Sequence, residues 1–472
     1  MRMLALADCL RAAGATVEFV SRPLPGHRCD RISQEGFAVH RLPGNVQPRS
    51  WKRDLEETRH ALKENVDWLV VDHYQVPAEW EHAANAFSRS ILAVDDLGRA
   101  HDCDVMLDQN YHAYSESRYA GRLGPRCEQL LGPRYALLRE EFVQARNGIQ
   151  PRDGEIRRVL VSFGAHDVGG ETLKSLEALT SMAPRRFQID VLVSGAHAYL
   201  DEIRARSREM EGCVLHVDSP RSSGLMRASD LAIGAAGLSM WERCAVGLPA
   251  VLVAIADNQI PSSTALAADG YSLYLGESAT VTAADIASAV RALLANPSEV
   301  RRMSTRCLQL VDGRGTRRVS ARLLADTVVL RRATPDDCER IYDWRNAEIN
   351  RRQSTDPREI PLERHRAWFA ARLRDASSDI LIAERGSSPI GVLRYDIREG
   401  KEARISIYLV PGEHGKGLGR LLLIRGARWL RAARPLVKCI TAEVLEGNAD
   451  SIKAFTDAGF ERRGALFVFE SR

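Results

Sequence analysis

The chain has 472 residues, more than one hydrophobic core usually organises, and at roughly 150 residues per domain it divides into about three domains. Hydrophobic residues make up 45% and charged residues 27%, a soluble globular balance that excludes a collagenous, low-complexity or long disordered chain. The 66 basic and 62 acidic residues leave a net charge of +4, too even to indicate nucleic acid or a membrane surface as a partner.

The nine cysteines are odd in number and scattered, and none forms a CxxC pair, which argues against a disulfide framework or a zinc knuckle. Asp8 and Arg11 interrupt the first apolar run, so no signal peptide is expected there. No apolar run reaches the ~18 residues that a membrane helix needs. A cytoplasmic protein, monomeric or a small homo-oligomer, is the expectation.

Met1 to Ala13 carries apolar residues at helical spacing, and Thr16 to Val20 reads as the first strand. A parallel-sheet domain ordinarily opens with a strand, so the chain is expected to start one element late. Trp68 to Asp72 and Ser90 to Asp96 read as buried strands, and the polar, turn-rich run from Arg146 to Glu155 as a seam between two lobes. Arg158 to Gly164, Phe187 to Gly195, Leu231 to Gly237 and Ala250 to Ala256 continue the strand and helix alternation of a parallel sheet. A helical stretch ends near Ala325, and Val328 opens a strand followed by a Pro-Asp-Asp helix start. Ile380 to Ala383, Pro389 to Ile397 and Ala403 to Val410 are spaced as hairpins, so this last sheet should be mainly antiparallel. The expected domains are 1–150, 151–326 and 328–472, with a ligand cleft between the first two.

The strand Ser406 to Pro411 runs into Gly412-Glu413-His414-Gly415-Lys416-Gly417-Leu418-Gly419-Arg420, followed by a helix from Leu421 to Arg431. Glycines at 415, 417 and 419 let backbone N–H groups crowd around an anion, and the helix adds its unpaired donors, so a pyrophosphate fits; a plain tight turn is the structural alternative. In the parallel lobes, ligands gather beyond the carboxyl ends of strands. Asp72, His73 and Tyr74 end one strand and can bind a sugar, move a proton, or merely cap the loop. Asp95, Asp96, His101 and Asp102 follow the next without metal-ligand spacing, so no metal is expected. In the second lobe, the loop from Gly164 to Gly170 can offer backbone donors to a diphosphate. Ser239 and Glu242 open a later helix, with Asn258 and Gln259 beyond; Glu242 can accept ribose hydroxyls or simply cap.

The glycine loop resembles the acetyl-CoA loop of the GNAT superfamily, with His414 in place of the usual Gln or Arg. Asn448, Ser451, Phe455 and Gly459-Phe460 match the superfamily's next element, although Phe455 stands where a tyrosine often protonates the leaving thiolate. The resemblance implies acetyl-CoA as co-substrate, held by Leu409, Val410, His414, Gly415, Lys416, Gly417, Leu418, Gly419, Arg420, Asn448, Ser451 and Phe455, with a backbone N–H near Leu409 or Val410 polarising the thioester. Glu443, His365 and Tyr408 are candidates for the proton acceptor, each also readable as structural. Trp344-Arg345-Asn346 and Glu363 to Phe369 are similar to the acetyltransferases of pseudaminic acid biosynthesis, which act on a UDP-linked 4-amino-sugar.

The first two lobes resemble the GT-B nucleotide-sugar fold, and more closely the UDP-sugar hydrolases of that same pathway. Ala5 to Arg11, Val71 to Tyr74, His101 to Asp104, Leu107 to Asn110, Gly132 to Arg139, Trp241 to Cys244 and Asp257 to Gln259 occur in that family's order. The fold implied is α/β, with two Rossmann-like lobes of GT-B type followed by a GNAT domain. By this resemblance Tyr74, with Asp72 and His73, belongs to the catalytic cluster, while Gly164, Ser239, Glu242, Asn258 and Gln259 hold the UDP-sugar. The family's Gly-x-Gly-His loop would precede Met1, so a start assigned too late is expected. The combined function implied is N-acetylation of a UDP-amino-sugar followed by hydrolysis of the diacetamido product. A glycosyltransferase of the same fold, or a catalytically silent UDP-sugar binding module behind an active acetyltransferase, are the alternatives.

Overall fold

The computed structural model describes all residues except 25, 45–49, 115–116, 165–166, 168, 326–327, 386–387, 399–400, 415–417, 465 and 471–472. Packing divides the chain into two compact units, Met1–Leu6 with Glu18–Thr316, and Ala7–Val17 with Arg317–Arg472.

The first unit holds twelve named strands: β1 (Glu18–Ser21), β2 (Ala38–Arg41), β3 (Val66–Val71), β4 (Ser88–Val94), β5 (Val105–Asp108), β6 (Glu128–Leu131), β7 (Arg158–Ser162), β8 (Gln188–Val193), β9 (Cys213–Val217), β10 (Leu231–Ala235), β11 (Ala250–Ala254) and β12 (Leu273–Glu277). All pair in parallel, as two sheets, β1-β2 and β3-β4-β5-β6, in the first lobe, and one, β12-β11-β10-β7-β8-β9, in the second. Every residue of β10 and β11 is buried, as expected of a sheet covered on both faces. Successive residues of β7 serve opposite faces. Val159 and Val161 pack with Leu176, Ile286 and Val290, while Leu160 packs with Phe142, Met240 and Trp241. Strand order reverses between β7 and β10, which opens a crevice at their carboxyl ends.

Five of these strands, β2, β5, β6, β9 and β12, were not apparent from the apolar pattern. Their sequences, AVHR, VMLD, EQLL, CVLHV and LYLGE, are short and carry polar residues, so pairing with neighbours decides them rather than periodicity.

The second unit is a seven-stranded sheet of β13 (Val328–Arg332), β14 (Ser378–Arg385), β15 (Ser388–Arg398), β16 (Glu402–Leu409), β17 (Cys439–Glu443), β18 (Glu461–Arg463) and β19 (Leu466–Glu470), in the order β13-β14-β15-β16-β17-β19-β18. Every pair is antiparallel except β16 with β17. Helix Leu418–Ala433 lies against β15, and Gly426 permits the approach: a Cβ there would come within 2.5 Å of Leu393 Cδ2. Within the second unit, Arg385 donates to the Ala13 carbonyl at 3.3 Å.

Candidate functional site

At the carboxyl ends of β3 and β4 the chain gathers charge. The Tyr74 hydroxyl donates to Asp96 Oδ2 at 2.9 Å, and Arg2 Nε donates to Asp72 Oδ2 at 3.0 Å while its other end lies 3.9 Å from Asp96. Burial and the neighbouring Asp96 carboxylate push the Tyr74 phenol up to about 12, so it is a hydrogen-bond donor at neutral pH. Burial also raises Asp96, whose Oδ1 is enclosed with no partner among the described residues. Asp72 and Tyr74 therefore do meet in one cluster. His73 does not join it, because its Nδ1 accepts the Gln75 N–H at 3.1 Å and caps its own loop.

That loop is positioned by a residue not singled out in the sequence. The Arg99 guanidinium donates to the carbonyls of Tyr74 (2.9 Å), Val76 (3.0 Å) and His73 (3.1 Å), and its Nε is anchored on Asp95 at 2.9 Å. Behind it, His101 lies 2.7 Å from Glu81 and 3.6 Å from Asp95. Burial would lower His101, but these two carboxylates outweigh it and raise the imidazole to about 9. Among the described residues no group of three or more His, Cys, Asp or Glu is arranged to hold a metal ion.

In the second lobe, Gly164 has the left-handed backbone (φ 88°) of a sharp strand-to-loop turn, while residues 165, 166 and 168 lie outside the described set. The helix that follows, Glu171–Thr180, does not leave its amino end open. The buried Asp167 carboxylate accepts the N–H groups of Glu171 (2.8 Å) and Thr172 (2.7 Å), so these two first-turn donors are already occupied by a carboxylate. The alternative lies at the crevice. Helix Leu238–Ala245 begins right after β10 with Gly237 as an N-cap that supplies no side-chain bond, which leaves first-turn N–H groups for an anion. Ser239 and Glu242 are on this helix, and the Gln259 amide packs against Gly237; Asn258 stands beside it in the short 3-10 turn Asp257–Gln259. Burial raises Glu242, whose carboxylate is 3.4 Å from Arg139. Arg243, fully buried, donates to the Ala235 carbonyl beneath the same turn.

In the second unit, β16 and β17 pair only from Glu402 to Arg404 against Cys439 to Thr441. Beyond that they part, leaving one edge of β16 open to Leu409. The register pairs Leu409 with Gly391, and the Val410 N–H donates to the Ile390 carbonyl at 3.1 Å. Antiparallel pairs alternate between facing and averted backbone groups, so the Leu409 N–H faces the parted edge while the Val410 N–H is consumed. His414 follows the turn; its Nε2 is 3.1 Å from Asn350 Oδ1. Gly415, Lys416 and Gly417 lie outside the described residues. Leu418 is buried at the start of the next helix, Gly419 lies one residue on, and Arg420 is buried at 8% exposed. Asn448 Oδ1 accepts the Ser451 N–H at 3.0 Å, capping helix Ala449–Asp457. Phe455 is 3% exposed and packs its ring against Phe460 and Phe467.

Glu443 is exposed and paired with Arg404. His365 Nε2 is 3.1 Å from the Cys338 carbonyl, and its ring stacks on Phe369. The Tyr408 phenol is pushed up by burial.

Fold and sites together define a two-lobed parallel α/β unit followed in the chain by a GNAT acetyltransferase domain. Residues 327–461 match the family model of the acetyltransferase (GNAT) domain. The first unit is homologous to the UDP-2,4-diacetamido-2,4,6-trideoxy-beta-L-altropyranose hydrolase of Campylobacter jejuni, 25% identical over 238 residues that cover 50% of this chain and 84% of that protein. An uncharacterized protein of Methanocaldococcus jannaschii, MJ1062, is 24% identical over 460 residues, covering 92% of this chain and 87% of its own length. Among solved structures, MurG of Acinetobacter baumannii superposes with a TM-score of 0.49 at 14% identity, over 68% of this chain and 94% of its own.

Proposed function

We propose that the chain is a bifunctional enzyme of pseudaminic acid biosynthesis, serving flagellin glycosylation in the cytoplasm. Residues 328–472 transfer an acetyl group from acetyl-CoA to the amine of a UDP-linked 4-amino-sugar, and the lobes 1–150 and 151–326 hydrolyse the diacetamido product to free sugar and UDP. The observation that carries this reading is the pairing, in one chain, of a GNAT family match at residues 327–461 with a relative named for hydrolysing a diacetamido UDP-sugar. The product of one reaction is the substrate of the other.

In the acetyl transfer, the amine nitrogen bonds to the thioester carbon, the C–S bond breaks, and the amine proton balances the departing thiolate. The parted edge of β16 supports this, since the Leu409 N–H faces the space where a thioester oxygen would gain charge. In the hydrolysis, water attacks C1 and UDP departs. The uridine diphosphate is assigned to the open amino end of helix Leu238–Ala245, with Ser239, Glu242, Asn258 and Gln259 around it. Tyr74 and Asp72 face the sugar from the other lobe.

The test supplies the full chain with acetyl-CoA and a UDP-4-amino-sugar, following free thiol and free UDP. Thiol release, followed by UDP release without any sugar or lipid acceptor, is expected. Absence of thiol release overturns the acetyltransferase assignment, and UDP release that waits for an acceptor replaces the hydrolase by a glycosyltransferase.

A further inference from the structure

Polarising a thioester with a backbone N–H demands a rigidly held peptide, yet Leu409 sits at the end of β16 where the flanking strand has departed. β15 holds it on one side, and on the open side something other than the sheet must do so. Asn350, 7% exposed in the short helix Glu348–Arg351, supplies that hold. Its Nδ2 donates to the carbonyls of Leu409 at 2.9 Å and Trp344 at 2.7 Å. Two carbonyl partners fix which way the amide points, because only the NH2 end can donate. Oδ1 is then directed at His414 Nε2, 3.1 Å away, and that nitrogen must carry the proton. One side chain thereby ties the strand end, a neighbouring helix and the entrance to the glycine loop.

The chemistry of the contact matters beyond rigidity. Averted N–H and C=O groups of one residue face the same side of a strand, so the Leu409 carbonyl oxygen looks into the same space as the Leu409 N–H. An incoming thioester oxygen seeking the N–H would meet those lone pairs. Asn350 engages them and turns a mixed surface into one dominated by donors.

We propose that Asn350 is a positioning residue for acetyl transfer: it clamps the Leu409 carbonyl and the protonated Nε2 of His414, so that the Leu409 N–H stands aimed and unopposed at the thioester carbonyl. The inference rests on the acetyltransferase reading above and specifies a residue for it.

The test uses the full chain, Asn350→Ala and Asn350→Asp. Asn350→Asp keeps the shape and the acceptor for His414 but sets a carboxylate oxygen against two carbonyls, so mere space-filling predicts wild-type behaviour for it. Both variants are expected to lose kcat by about 10- to 100-fold, the cost of misplacing or losing one polarising donor, with KM for acetyl-CoA moving less than about 3-fold. The second readout is the infrared carbonyl stretch of 13C-labelled acetyl-CoA bound without acceptor, which should fall on binding the wild type and return toward its solution value in both variants. This spectrum needs no turnover, and a variant that retains acetyl-CoA is folded where it matters. A wild-type stretch shifted equally in Asn350→Asp, or kcat within about 2-fold of wild type, overturns the role of Asn350 and leaves the acetyltransferase standing. A wild type that neither binds acetyl-CoA nor releases thiol overturns both.

Discussion

Arg99 gives the sharpest account of how the first lobe presents Tyr74. Replacing it with lysine keeps a cation beside Asp95 but removes the planar fork that reaches three carbonyls at 2.9, 3.0 and 3.1 Å. An ammonium anchored on Asp95 can retain one of those bonds and loses two. At a net ~1 kcal/mol for each bond, discounted because the loop carbonyls regain water, the loop should lose about 1–2 kcal/mol of local stability. That corresponds to a roughly 5- to 30-fold rise in its open population. Hydrogen exchange across residues 72–76 of Arg99→Lys reads this directly, while amides of β4 and β5 should keep their protection. UDP release should slow alongside, since Tyr74 sits on the loop and meets Asp96 only when it is closed. Exchange at 72–76 unchanged within about 2-fold would refute the reasoning, whatever happened to the rate.

Three further outcomes follow from the same geometry. His101 is raised to about 9 by its carboxylate neighbours, so the stability it contributes is complete below its unfolded pKa of ~6.5 and is lost as pH rises through about 9; thermal unfolding should show that decline in the wild type and a flatter profile in His101→Asn. Asp167→Ala should destabilise by about 1 kcal/mol, the cost of an N-cap, without weakening UDP binding by calorimetry, because the donors it caps are not those assigned to the diphosphate. Phe455→Ala, at a 3% exposed site within an aromatic cluster, should cost about 3–5 kcal/mol in urea denaturation; a loss below about 1 kcal/mol would show that the ring is not part of the core.

Much of the architecture was legible in the amino-acid order. Parallel strands buried on both faces read as continuous apolar runs, and β10 and β11 stand where LAIGAAG and AVLVAIA placed them, each two residues shorter. The hairpin spacing from residue 380 to 410 likewise anticipated the antiparallel β14, β15 and β16. Such features are local: period, length and turn chemistry are carried by neighbouring residues.

What the sequence could not decide were the pairings between distant residues. Asp72, His73 and Tyr74 are adjacent, yet only Asp72 and Tyr74 enter a common cluster, through Arg2 and Asp96, while His73 bonds within its own turn. Asp167 lies in a glycine-flanked turn, and only the fold shows that its carboxylate closes on the N–H groups of Glu171 and Thr172. Nothing near Asn350 distinguished it, because two of its three partners lie 59 and 64 positions further along the chain. Side-chain direction at these places is fixed by which strands part and which helices pack alongside, and only the tertiary structure contains that information.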